Sequence, residues 1–120
     1  MGIAERIAAE APLFLLIFSR VVVICFVAPL LNSNSIPWIA RIALAFFASF
    51  FVLPRLSQAG YPIPADVLSY ALLVLGEAMI GVTIGFMLVA IFAVFQTAGQ
   101  FFALQMGFGA SQVFDPLAQV

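Results

Sequence analysis

Apolar residues fall in three long blocks separated by two short polar breaks. In residues 11–31, 17 of 21 positions are apolar, and only Pro12, Ser19, Arg20 and Pro29 depart. At about 1.5 Å per residue such a helix covers about 31 Å, matching a hydrocarbon core of about 30 Å. Pro12 suits a first helical turn, where its missing N–H costs nothing, and Pro29 stops or kinks the helix near its end. Asn32-Ser33-Asn34-Ser35 is a polar turn whose side chains compete with helix for backbone groups. Ser35 is the candidate N-cap of a second helix, opened by Ile36-Pro37 and covering residues 36–53. That block holds 15 apolar residues of 18, including Trp38, Phe46, Phe47, Phe50 and Phe51, and Pro54 and Arg55 are expected to end it.

Gly60, Pro62 and Pro64 forbid regular helix in the second break. Pro64 and Asp66 then suit a new N-terminus, since an acid there meets the positive end of the helix dipole. The third block is 23 apolar residues of 29 over 67–95, and helix-compatible sequence continues to Met106. A helix over 66–106 would be about 61 Å long, more than any bilayer core. It must kink, project from the membrane or belong to a large assembly, with Gly81, Gly85 and Gly99 as bend points. From Gly107, paired glycines and Asp115-Pro116 predict a loop over 107–116. The predicted class is all-α: membrane-associated helical hairpins, a long kinked third helix, then a Gly-rich loop. Residues 1–120 read as a single helical portion of a longer chain.

Composition narrows the class. Apolar residues make up 66% of the 120 positions and charged residues 8%, with a mean hydropathy of +1.27. A soluble domain carries about 25% charged residues, so this chain is no free-standing soluble domain or disordered tail. It has neither Lys nor His and a net charge of −1, which leaves no basic footprint for nucleic acid. Cys25 is the single cysteine, so no internal disulfide or Cys-rich metal site exists. Glu5, Arg6 and Glu10 give an acidic start, unlike a secretory signal, which favours a retained first helix.

Ionisable residues inside apolar helices are functional candidates. Arg20, Arg41 and Glu77 qualify. Glu77 reads either as a proton or ion site or as the partner of an arginine or of polar groups on a neighbouring subunit. Arg41, one turn into its helix, reads as snorkelling to the interface. At about 100° per residue, Glu77, Gly81, Gly85, Phe92, Gln96, Gly99 and Ala103 form one small and polar stripe. It contains Gly81-x-x-x-Gly85, a spacing that lets helix backbones approach closely. Glu77, Gly81, Gly85, Gln96, Gly99 and Ala103 are therefore candidate helix–helix interface residues, against either a partner subunit or the same chain. Ser19, Ser49 and Ser69 have no nearby base, the acids form no pair or cage, and no phosphate-binding Gly loop occurs. The chain does not read as an enzyme, and no cofactor or metal site is predicted.

Ala98-Gly99, Leu104-Gln105-Met106-Gly107 and Asp115-Pro116 resemble, in order and spacing, the FliR/SctT family of flagellar and virulence export-gate proteins. The Ser35-Ile36-Pro37 opening followed by Arg41-Ile42-Ala43-Leu44-Ala45, and an apolar first helix with a central arginine, resemble it too. The Leu-Gln-Met-Gly form looks flagellar. The resemblance implies a subunit of a bacterial inner-membrane protein-export gate at the flagellar basal body. Its partners would be FliP-like, FliQ-like and FlhB-like proteins, membrane lipid and unfolded exported substrates. It also implies a channel plug formed by Gly107, Phe108, Gly109, Ser111, Phe114, Asp115 and Pro116. The competing reading is a small-solute transporter or channel subunit with Glu77 as its coupling site.

Overall fold

The computed structural model describes residues 2–107, and these are all-helical, with no strand among them. The elements in order are α1 (Ile3–Val27), α2 (Trp38–Ala59) and α3 (Val67–Gln105). Each is long and apolar enough to cross a membrane. The chain divides into two units, one ending at Leu88 and the other beginning at Val89.

α1 starts eight residues before the predicted position 11. Three alanines, at 4, 8 and 9, favour helix upstream of the apolar block, and Glu5 in the first turn suits the dipole. Pro12 therefore lies inside the helix, not in its first turn. It removes the bond that would reach Ala8, yet Leu13, Leu16 and Ile17, buried just after it, hold the helix in place. α1 ends at Val27 and not at residue 31. Ala28 leaves helical geometry ahead of Pro29, and Asn32 N–H donates to the Ala28 carbonyl at 2.9 Å.

The α2 boundaries also depart from expectation. Pro37, not Ser35, is the N-cap, and its extended backbone (ψ 145°) starts the helix at Trp38 without a side-chain cap. Pro54 does not end α2. It lies within the helix, which continues to Ala59 because Leu53 and Leu56 pack into the Leu13–Ile17 cluster of α1 on either side of it. The actual stop is Gly60, whose left-handed φ of 70° only glycine adopts without strain. α3 follows the expected limits within one residue. Asp66 is its cap: its carboxylate accepts from the Ser69 N–H at 3.3 Å and the Ser69 hydroxyl at 3.1 Å.

α1 and α2 form a hairpin. Ala45 and Ser49, one turn apart on α2, are completely buried. Small side chains there let the backbones approach, and the Ser49 hydroxyl donates to the Ala45 carbonyl at 2.7 Å, so no polar group is left open. Phe14 of α1 meets Phe46 of α2 edge-on at 5.2 Å. Outward-facing residues are largely apolar, Phe51 and Phe95 among them, which suits a lipid or subunit environment and not water.

Candidate functional site

Four contacts join α1 to α3. The Tyr70 hydroxyl donates to the Pro12 carbonyl at 2.8 Å. Arg20 Nη2 meets Glu77 Oε2 at 2.5 Å. A Cβ on Gly81 would stand 2.8 Å from the Arg20 carbonyl oxygen and 3.1 Å from Val23 Cβ. A Cβ on Gly85 would stand 2.7 Å from Val27 Cβ. The partners climb both helices together, so α1 and α3 run parallel, with α2 as the returning helix between them in the chain. Gly81 and Gly85 are the surfaces on which α1 rests.

The ion pair sits at the middle of this seam. The Glu77 side chain is 13% exposed and that of Arg20 40%. Pairing makes the site neutral, which is what an arginine and a glutamate inside apolar helices require. Glu77 thus meets an arginine of its own chain. Gln96 and Gly99, further along α3, are exposed, and Ala103 is partly covered. A Cβ on Gly99 would have open space around it.

Arg41 reaches back from the first turn of α2 to the polar end of the hairpin. Its guanidinium folds back over the α1–α2 turn, donating to Asn32 Oδ1 at 3.2 Å, the Ser33 carbonyl at 2.9 Å and the Ile36 carbonyl at 3.3 Å. It also lies over the Phe26 ring, 5.5 Å from its centre. The turn between the helices offers acceptors outside regular helix, and a guanidinium, with five donors, can reach several of them at once.

Sequence reasoning missed Ala45 and Ser49, although Ala45-x-x-x-Ser49 repeats the spacing of Gly81-x-x-x-Gly85. It also missed Tyr70, whose hydroxyl has no local sequence signal. Gly107 ends α3 with φ 80°. The other six candidate plug residues, Phe108, Gly109, Ser111, Phe114, Asp115 and Pro116, lie outside the described residues. Among the described residues, no group of three or more Cys, Asp or Glu could hold a metal.

Comparison with known proteins gives a consistent family. The model of the "Bacterial export proteins, family 1" matches residues 11–120. The flagellar biosynthetic protein FliR of Bacillus subtilis is 32% identical over 106 residues, covering 88% of this chain and 40% of that protein. FliR of Escherichia coli is 30% identical over 101 residues, covering 84% of this chain and 38% of that protein. The chain thus spans about two fifths of the length of these relatives. No solved structure matches it.

Proposed function

The chain belongs to the bacterial export proteins of family 1, and from this premise we propose that it serves in the flagellar protein-export gate of the inner membrane. The observation that carries the reading is the family match across residues 11–120, which includes the Leu104-Gln105-Met106-Gly107 motif. In this reading the chain forms part of the channel through which unfolded substrates cross, beside FliP-like, FliQ-like and FlhB-like subunits. Physical features support it. α3, with 39 residues, is about twice the length a bilayer requires, and its outward side is apolar, as a helix covered by neighbouring subunits would be. Gln96, Gly99 and Ala103 are the proposed contacts of α3 with those subunits. Residues 107–116 are proposed as the plug of the closed channel.

A mild-detergent pull-down of the tagged full-length protein, read by mass spectrometry, tests the assignment. Recovery of FliP-like and FliQ-like chains in a fixed ratio supports it. Recovery of the protein alone, or only with copies of itself, overturns it. The plug has its own test: deletion of residues 109–114 in the assembled complex should raise passive ion leakage, and unchanged leakage removes that role.

A further inference from the structure

An open groove of about 270 Å³ runs along the α1–α2 hairpin. Ile7, Ala11 and Phe14 of α1 and Phe46, Phe50 and Leu53 of α2 line it, and Glu10 is the single polar residue in its wall. From Leu53 to Phe46 it follows α2 for about 10 Å, within the roughly 15 Å depth of one bilayer leaflet. Glu10 also lines a second recess, which it shares with Arg6 and Ser57. Arg6 and Glu10 are one turn apart on α1, the spacing at which opposite charges pair on a helix. They do not pair: Arg20–Glu77 is the one ion pair among the described residues. Glu10 instead turns to α2, where its Oε1 accepts from the Ser57 hydroxyl at 3.5 Å, a long bond that leaves most of the carboxylate open. The head of the groove thus carries an exposed guanidinium and an exposed carboxylate, side by side and not joined to each other. It lies at the end of the hairpin where charge gathers, with Glu5 and Arg55 nearby in the chain, and the apolar blocks begin just below it.

The charges at the head select among occupants that could fill an apolar groove in a membrane. A bare hydrocarbon would leave both of them without a partner. A phosphoglycerol head offers a phosphate to Arg6 but brings no cation to Glu10. A choline head brings a cation that has no N–H to donate. A phosphoethanolamine head supplies both groups: its phosphate oxygens accept from the guanidinium, and its primary ammonium donates to the carboxylate. We propose that the α1–α2 groove seats one phospholipid with a phosphoethanolamine head, its ammonium on Glu10, its phosphate on Arg6 and an acyl chain against Phe14, Phe46 and Phe50. The rings make the seat apolar along its length, and the unpaired charges give it a preference among lipids that the rings alone would not have. The site lies wholly on the hairpin and does not depend on the export-gate assignment.

Two measurements on the full-length protein test it. After removal of its native lipid in detergent, the protein is offered phosphoethanolamine, phosphocholine and phosphoglycerol lipids with the same acyl chains, and the adducts are counted by native mass spectrometry. The phosphoethanolamine lipid should be retained about fivefold over the other two, the scale of one exposed charge contact. Glu10→Gln should bring it down to the phosphocholine level. Arg6→Gln should lower both of these lipids, since both present a phosphate. Equal retention of the three lipids overturns the proposal, as does a preference that survives Glu10→Gln. In the native membrane, a photo-crosslinking phenylalanine analogue at Phe50, whose side chain is 59% exposed, should capture a phosphoethanolamine lipid. Capture of a polypeptide there instead would show that another protein segment fills the groove, and would overturn the lipid seat even if the detergent preference holds.

Discussion

Arg20 and Glu77, each embedded in an apolar helix, neutralise one another across the parallel seam of α1 and α3. Each residue alone would be costly in its surroundings. Together they fix the height of one helix against the other, since only one register brings the two heads into contact while Gly81 and Gly85 receive Val23 and Val27.

Removing one partner should therefore cost more than removing both. Glu77→Gln or Arg20→Met is expected to lower stability by about 1–3 kcal/mol, reduced from a fully buried pair because Arg20 is part-exposed. Arg20→Leu with Glu77→Leu should be nearer to wild type than either single change. Thermal unfolding of the purified protein in detergent checks the ordering, and additive losses in the double variant would refute the coupling.

Glycines along α3 should divide by what faces them. Gly85→Leu is expected to drive α1 and α3 apart and block assembly of the full complex. Even Gly81→Ala, which would bring a Cβ to 2.8 Å from backbone, should cost about 1–3 kcal/mol. Gly76→Ala, with nothing within 4 Å, should instead gain up to about 1 kcal/mol from helix propensity. Melting temperatures of the three variants read the contrast directly.

At the α1–α2 contact, size should matter and the hydroxyl should not. Ser49→Ala removes a bond to its own helix and is expected to change stability by less than about 1 kcal/mol. Ala45→Leu forces a larger side chain into a fully buried position and should cost about 1–3 kcal/mol. Cysteine cross-linking yield between α1 and α2 would fall for the second variant only.

Arg41 should act on the turn, not on the helices. Arg41→Met withdraws donors from Asn32, Ser33 and Ile36, at a cost of about 1–3 kcal/mol. Hydrogen exchange should quicken in residues 28–37 while α3 stays protected. Faster exchange spread evenly over all three helices would show that Arg41 has a different role.

Much of this architecture was legible in the chain. Three helices follow from the apolar blocks, because a run of about 20 apolar residues has few stable alternatives to helix in an apolar medium. The break in helix around Gly60 and the Asp66 start of α3 are local events, written in residues whose backbone or side-chain chemistry acts within one turn, although α2 runs six residues past its expected end at residue 53. The Gly81-x-x-x-Gly85 spacing announced a close helix approach without saying to what.

Tertiary structure decided the rest. Local rules placed Pro12 at a helix start and Pro54 at a helix end, but each lost hydrogen bond is outweighed by flanking leucines packed into a shared cluster. The identity of Glu77's partner, the grip of Arg41 on the α1–α2 turn and the reach of Tyr70 to Pro12 depend on which segment lies beside which. No pattern within a single helix contains that information, because parallel register is a relation between segments that the chain itself separates by a whole returning helix.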